Sequence, residues 1–287
     1  MSEISRVGVV GAGLMGSGIA EVCARAGLDV LVSEITEQAV DAGRQRVERS
    51  IGRAQKAGKL SAEEGSGTLA RIGFTTSLDD MADRDFVIEA IAEDESLKVD
   101  VFSTLDKVLE SPDAVLASNT SSIPIMKLAM ATQRPHRVIG VHFFNPAPVL
   151  RLVELIPSLL TDEQTRSSIE DFVSTKLGKT VVRSTDRAGF VVNALLIPYI
   201  LSAIRMFESG FASAEDIDNG MVLGCAHPMG PLALADLIGL DTTMAVAESM
   251  YEEFKEPLYS PPPMLLRMVD AGLLGKKAGR GFYEYSR

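Results

Sequence analysis

The amino-acid sequence predicts an α/β protein in which a mostly parallel sheet domain, residues 1–184, precedes an all-helical domain, residues 185–287. Short β-branched runs alternate with helical spacing through the first part, which is the pattern of parallel strand–helix–strand units. A glycine-rich turn stands between the first strand and the first helix. Beyond about residue 184 the strand signals stop, and long apolar stretches with helical spacing replace them.

The predicted strands of the first domain are short, apolar and rich in valine and isoleucine. In chain order they are RVGVV, DVLVSE, FVIEAI, AVLAS, RVIGVHF, LVELI and KTVVRS. Helical signals lie between them, first in MGSGIAEVCARAG and then over residues 36–57. The second helix is indicated by Val40, Val47, Ile51 and Ala54, which recur on one side.

The strands RVIGVHF and LVELI are predicted to be antiparallel neighbours. Only residues 144–151 separate them, and a parallel crossover needs about a dozen residues or more. His142 and Glu154 are symmetric about the middle of this connection, so the two side chains are able to face each other.

The second domain shows three helical stretches, GFVVNALLIPYILSAIRMFESG, PLALADLIG and DTTMAVAESMYEEF. Ser213, with Asp216 three residues later, resembles the capped start of another helix. The change from strand patterns to helical patterns predicts a domain boundary near residues 184–187.

The composition is that of an ordinary globular protein, with 46% hydrophobic and 23% charged residues in 287. No run approaches the ~20 apolar residues of a membrane helix, and the N-terminus lacks a secretory signal, so we expect a cytoplasmic protein without a membrane partner. Cys23 and Cys225 suit a reducing compartment. The net charge of −11 argues against a nucleic-acid partner, and no Cys/His cluster has the spacing of a metal site.

A glycine-rich loop follows the first strand and has the spacing G-x-G-x-x-G. The loop residues expected at a dinucleotide are Gly11, Gly13, Leu14, Met15 and Gly16. In Rossmann-type domains this spacing gives a tight turn, room for a pyrophosphate and close packing of a helix N-terminus. The second strand ends at Glu34, where a carboxylate binds the adenosine ribose and repels the extra phosphate of NADP. NAD is therefore the predicted cofactor, and the alternative is a plain turn with a surface glutamate.

A run of basic residues stands out in this acidic chain. Its members are Arg44, Arg46, Arg49, Arg53, Lys56 and Lys59. Four of them, from Arg46 to Lys56, have the spacing of one helix face. A solvated helix face is the simpler interpretation. The alternative is a surface for an anionic group such as the 3′-phosphate-ADP end of coenzyme A.

His142 ends a predicted strand at the sheet edge where parallel sheets bind ligands. A carboxylate from Glu154 would fix its tautomer and stabilise the charged ring, which suits a base in alcohol dehydrogenation. A core histidine without chemistry is the alternative. A hydrolase triad with Ser118, Ser121 or Ser122 is a further one, but the chain has no G-x-S-x-G elbow.

Six stretches carry a resemblance to a known family. They are GAGLMGSGIA, SNTSS, GVHFFNPAPVLRLVELI, GFVVNALL, HPMGPLALADLIGLD and GKKAGRGFYEY. With them the chain resembles the L-3-hydroxyacyl-CoA dehydrogenase family, in its bacterial 3-hydroxybutyryl-CoA dehydrogenase type, over nearly its whole length. The resemblance implies reversible oxidation of a short-chain (S)-3-hydroxyacyl-CoA to 3-oxoacyl-CoA with NAD, and a homodimer formed through the helical domain.

The resemblance also implies roles for individual residues. The catalytic residues are His142 as base, Glu154 as its partner, and Ser121 and Asn193 at the reacting oxygen of the substrate. The further cofactor contacts are Glu93, Lys98, Asn145 and Lys277. The coenzyme A contacts are Ser50 with Lys56 or Lys59.

Two other functions remain open on the sequence alone. A non-catalytic NAD-binding protein would keep the glycine loop but would have no use for His142, Glu154, Ser121 and Asn193 together. A dehydrogenase of a free hydroxy acid or sugar acid would keep those residues but would not need the basic helix.

Overall fold

The computed structural model describes residues 4–285. The chain divides into two compact units, Met1–Asp186 and Arg187–Arg287. The first unit is built on a sheet and the second on helices.

The described part of the first unit contains one eight-stranded sheet. Its strands are β1 (Arg6–Val10), β2 (Asp29–Ser33), β3 (Ile72–Thr75), β4 (Phe86–Glu89), β5 (Val115–Ser118), β6 (Val138–Phe143), β7 (Leu152–Pro157) and β8 (Thr180–Arg183). The spatial order is 3-2-1-4-5-6-7-8. Strands β1 to β6 are mutually parallel, so their carboxyl ends meet at one edge, where such sheets bind ligands.

All seven predicted strands are present, and β3 is the one that the sequence did not reveal. Its four residues, IGFT, are too few to show an alternating pattern and include Gly73. The strand is nevertheless fixed beside β2 by a regular parallel ladder.

Strands β6 and β7 are antiparallel, as the short connection predicted. In their register His142 lies directly opposite Glu154. Side chains in such opposed positions lie on the same face of the sheet within contact distance. The ladder therefore fixes this pair, and β8 then continues the sheet parallel to β7.

Helices cover the sheet of the first unit. They are α1 (Leu14–Arg25), α2 (Glu37–Lys56), α3 (Ala62–Ala70), α4 (Glu95–Val108), α5 (Ile125–Met130) and α6 (Glu163–Asp171). In α2 the buried residues are Val40, Gly43, Val47 and Ile51, which confirms the predicted apolar side, and Ala54 is half-buried. All four residues of β4 and of β5 are buried, as expected for parallel strands with both faces covered.

The second unit has its own core of aliphatic side chains from several helices. Its helices are α7 (Val192–Glu208), α8 (Ala214–Cys225), α9 (Pro231–Ile238), α10 (Leu240–Phe254) and α11 (Pro263–Asp270). The Ser213 hydroxyl accepts the backbone N–H of Asp216 and caps α8, as its spacing predicted. Among the described residues no helix is long and apolar enough to cross a membrane.

Two buried aspartates hold residues 282–285 of the second unit in place. Asp236 in α9 accepts the backbone N–H groups of Phe282 (3.0 Å) and Tyr283 (2.9 Å) and the hydroxyl of Tyr285 (3.0 Å). Asp218 in α8 accepts the hydroxyl of Tyr283 at 2.8 Å. Burial raises the pKa of Asp236, and its hydrogen bonds offset only part of that effect. These aspartates therefore join residues 282–285 to α8 and α9.

Candidate active site

The glycine loop connects β1 to α1 in the geometry that a dinucleotide needs. Gly11 has a φ of +96°, which L side chains rarely adopt, and a Cβ on Gly16 would lie 1.8 Å from the Gly11 carbonyl oxygen. Gly13 faces open space, and no side chain caps the N-terminus of α1. The N–H groups of this first turn and the helix field are thus available to an anion, which fits a pyrophosphate. Leu14 is exposed and Met15 is half-buried at this turn.

The peptide of Ala12, inside the loop, is held from both sides. Its N–H group donates to Oε1 of Glu34 at 2.7 Å, just beyond the end of β2. Its carbonyl oxygen accepts from the hydroxyl of Ser17 at 2.7 Å and from Nη1 of Arg46 at 3.1 Å. Helix α2 approaches this closely because Gly43 has no side chain, since a Cβ there would lie 2.3 Å from Cβ of Ala12. One arginine of the basic run therefore serves the loop itself.

His142 and Glu154 form a buried pair close to the carboxyl edge of the sheet. Nδ1 of His142 lies 2.8 Å from Oε2 of Glu154. The side chain of His142 is 8% exposed and that of Glu154 is fully buried. The ring also packs on Phe144, with 4.5 Å between centroids. A carboxylate on Nδ1 holds the proton there in the neutral ring, so Nε2 is the acceptor nitrogen of that ring.

The loop after β5 is organised by Glu93. Oε1 of Glu93 accepts from the hydroxyl of Thr120 at 2.5 Å and from the backbone N–H of Ser121 at 2.9 Å. The hydroxyl of Ser121 is 3.3 Å from the same oxygen. Burial alone would raise the pKa of Glu93, but the charge of Lys98 and these hydrogen bonds outweigh it and hold the pKa below its ordinary value. The carboxylate is therefore charged at neutral pH and accepts hydrogen bonds from Thr120 and Ser121 in this state.

Two polar residues of this edge were missed by the sequence analysis. Glu89 ends β4 with 1% exposure, and Nζ of Lys98 donates to it at 2.6 Å. Asn119 accepts the backbone N–H of Phe143 at 2.8 Å and so ties the loop after β5 to β6. Glu89 carried a usable signal, since a glutamate inside the apolar run FVIEAI requires a partner. Asn119 carried none beyond its place in SNTSS.

The remaining predicted residues are distributed over both units. Asn145 is exposed in the connection between β6 and β7. Ser50 is half-buried on α2, and Lys56 ends that helix in an exposed position. In the second unit, Asn193 lies in the first turn of α7, and Lys277 pairs with Asp241 at 2.6 Å. Their predicted contacts with cofactor or substrate stay predictions.

A histidine paired with a carboxylate, on the same sheet edge as a glycine loop that fits a pyrophosphate, is a combination that suits a nicotinamide-dependent dehydrogenase. The described residues contain no group of three or more His, Cys, Asp or Glu side chains that could hold a metal ion.

Comparisons with known proteins agree with this class. Residues 6–187 match the model of the 3-hydroxyacyl-CoA dehydrogenase, NAD binding domain, and residues 189–285 match the 3-hydroxyacyl-CoA dehydrogenase, C-terminal domain. The chain belongs to the 3-hydroxyacyl-CoA dehydrogenase family, and it is an NAD-dependent enzyme of that family.

Individual relatives align along nearly the full chain. A 3-hydroxybutyryl-CoA dehydrogenase of Mycobacterium tuberculosis is 62% identical over 282 residues, which are 98% of this chain and 99% of the relative. The human mitochondrial hydroxyacyl-coenzyme A dehydrogenase is 42% identical, over 98% of this chain and 91% of its own. The crystal structure of (S)-3-hydroxybutyryl-CoA dehydrogenase from Ralstonia eutropha superposes with a TM-score of 0.93 at 48% identity, covering 99% and 100% of the two chains.

Proposed function

We propose that the protein interconverts (S)-3-hydroxyacyl-CoA and 3-oxoacyl-CoA, with 3-hydroxybutyryl-CoA and acetoacetyl-CoA as its substrates. The observation that carries the proposal is the buried His142–Glu154 pair, 2.8 Å apart, at the ligand-binding edge of the sheet. The relatives from M. tuberculosis and R. eutropha are named as 3-hydroxybutyryl-CoA dehydrogenases, which supports the short acyl chain.

In the oxidative direction Nε2 of His142 takes the proton of the 3-hydroxyl group, and the carbon that bears this hydroxyl would give its hydride to bound NAD. Glu154 stabilises the imidazolium that forms, and the proton later leaves to solvent. When bound, NAD supplies the hydride acceptor. Ser121 and Asn193 are proposed to donate hydrogen bonds to the substrate oxygen, which carries more negative charge in the transition state than in the ketone.

The cofactor contacts belong to the same proposal. The residues proposed to hold NAD are Gly11, Gly13, Leu14, Met15, Gly16, Glu34, Glu93, Lys98, Asn145 and Lys277. Glu34 already holds the loop through Ala12, and its carboxylate is proposed to accept ribose hydroxyls and to repel a 2′-phosphate. NADPH is therefore expected to be a poor substitute for NADH.

The first assay is consumption of NADH with acetoacetyl-CoA, run beside free acetoacetate and beside NADPH. We expect turnover with acetoacetyl-CoA and NADH and little with either replacement. Equal rates with free acetoacetate would contradict the coenzyme A part of the proposal. NADH binding without turnover of any substrate would favour a non-catalytic NAD-binding protein instead.

The basic helix is proposed to bind the 3′-phosphate-ADP end of coenzyme A, with Ser50, Lys56 or Lys59 as contacts. Arg49, Arg53, Lys56 and Lys59 are exposed, and none of them makes an ion pair with a described residue. An arginine or lysine without a carboxylate neighbour keeps its full attraction for a phosphate. This is the observation that favours a binding surface over a merely solvated face.

We expect the double variant Arg53→Glu, Lys56→Glu to raise the KM for acetoacetyl-CoA about 10-fold or more, since reversing surface charges alters the attraction by roughly 1 kcal/mol each. The value of kcat and the KM for NADH should stay unchanged. The difference should shrink as salt is added, because exposed charges are screened. The matched control is Lys107→Glu, Arg267→Glu, which changes the net charge equally at exposed positions elsewhere. An equal rise in the KM for acetoacetyl-CoA of the control variant would show that the basic helix does not bind coenzyme A.

A homodimer formed through the second unit and a cytoplasmic location complete the proposal. Several large apolar side chains of that unit are exposed, among them Leu195 (74%), Phe211 (80%) and Leu223 (82%). Apolar surface of this kind is typical of a protein–protein interface. The two cysteines are free, which suits a reducing compartment. Sedimentation equilibrium would test the dimer directly.

A further inference from the structure

A closed ring of polar contacts joins the ends of β4 and β5 to the start of α4. Glu89 accepts the hydroxyl of Ser118 at 2.6 Å, and that hydroxyl accepts the backbone N–H of Thr120 at 3.1 Å. The side chain of Thr120 donates to Glu93 at 2.5 Å. Glu93 lies 3.2 Å from Nζ of Lys98, which closes the ring by donating to Glu89 at 2.6 Å. We refer to these five residues as the polar ring.

The polar ring is costly to bury, so its presence needs a reason other than stability. Lys98 and Glu89 are each 1% exposed. A buried ion pair often adds no more stability than apolar side chains of the same volume would. It does define one geometry, because each charged group must keep its partners to avoid an uncompensated buried charge.

The polar ring acts on the position of Ser121 through Glu93. Oε1 of Glu93 contacts the backbone N–H and the hydroxyl of Ser121, and also the hydroxyl of Ser122 at 3.0 Å. The other oxygen of Glu93 is held by Lys98. The orientation of the Glu93 carboxylate is thus fixed on one side by buried groups, and on the other side it fixes the loop that carries Ser121.

We propose that Glu89 and Ser118 are positioning residues, which act through Lys98, Thr120 and Glu93 to set the hydroxyl of Ser121 for the reaction. The inference rests on the proposed function, in which Ser121 donates to the reacting oxygen of the substrate. Neither residue contacts the substrate in this scheme. Their contribution to the rate passes through Ser121, so it disappears when Ser121 has no hydroxyl.

A double-mutant cycle tests this coupling with NADH and acetoacetyl-CoA. Glu89→Gln keeps the size of the side chain but removes the charge opposite Lys98, and we expect kcat to fall about 10-fold through misplacement of the loop. Ser121→Ala should lower kcat about 10²-fold, as the loss of one donor to an oxyanion does. The double variant should then be within about 2-fold of Ser121→Ala alone.

Ser118→Ala is the second variant, because it opens the polar ring without changing any charge and is expected to show the same coupling. The matched control is Asp106→Asn, which weakens a different, half-buried ion pair, with Arg134 at 2.8 Å. It should lower the melting temperature without changing kcat in either background.

The outcomes separate the positioning role from the proposed function. Acetoacetyl-CoA turnover by the unmodified enzyme reports on the proposed function, and the ratio between the two backgrounds reports on the polar ring. Losses that multiply, so that Glu89→Gln costs the same 10-fold with and without the hydroxyl of Ser121, would overturn the positioning role. Unchanged kcat in both Glu89→Gln and Ser118→Ala would overturn it as well.

Discussion

Replacing His142 by glutamine is expected to lower the turnover of acetoacetyl-CoA by about 10³-fold, within the range that general acid–base groups contribute. Glutamine can still donate to Glu154, so the fully buried carboxylate keeps a partner. Alanine would remove a partner of that buried charge and would confuse loss of chemistry with loss of stability. The affinity for NADH, measured by fluorescence titration, should stay within about threefold, because the proposed cofactor contacts do not include His142.

Two further variants sharpen this result. His136→Gln changes an exposed histidine before β6 and should leave all constants unchanged. Glu154→Gln keeps the imidazole but removes the charge that stabilises its protonated form, and it should lower kcat by about 10²-fold. A His142→Gln enzyme that kept its rate but lost NADH affinity would contradict the assignment of His142 as base.

The second large effect is expected on stability, from Asp236→Ala in α9. The substitution removes the acceptor of two backbone N–H groups and one tyrosine hydroxyl. Each buried donor left without an acceptor costs roughly 1–3 kcal/mol, and water near the end of the chain recovers part of it. We expect the free energy of unfolding of the second unit to fall by about 2–4 kcal/mol.

The chain offers a specific probe for this measurement. It has no tryptophan and five tyrosines, all of them between residues 199 and 285, so tyrosine fluorescence in a urea titration follows the second unit alone. Asp270→Ala, at an exposed position of α11, is the matched control and should change the midpoint little. If both variants had the same midpoint, Asp236 would not be what holds the end of the chain.

Much of the fold could be predicted because the signals were local or set by chain length. The G-x-G-x-x-G spacing, the helical side of α2 and the short connection after Phe143 each depend on neighbours in sequence. The last of these predicted the antiparallel β6 and β7, and with them the meeting of His142 and Glu154. The sequence was therefore sufficient to predict that His142 and Glu154 face each other.

The rest depended on contacts between residues distant in sequence. The glycine loop is held by Arg46, 34 positions away from Ala12, whereas the basic spacing of α2 indicated only a surface. Lys98 and Glu93 were predicted as cofactor contacts, but the sequence did not show that Lys98 pairs with Glu89 of β4. Nor did it show that Glu89 in turn accepts from Ser118 of β5. Periodicity cannot show which buried carboxylate meets which ammonium group, since that depends on how the strands are ordered in the sheet.

The register of β6 against β7 also determines which changes in length the site can tolerate. The pairing of His142 with Glu154 depends on the ladder, and the intervening connection only has to span the gap. An insertion within residues 144–151 would leave the two side chains opposed. A deletion of one residue inside β7, between Glu154 and Pro157, would shift the remaining strand and turn its side chains to the opposite face. Natural variation in length is therefore expected in the connection and absent from the two strands.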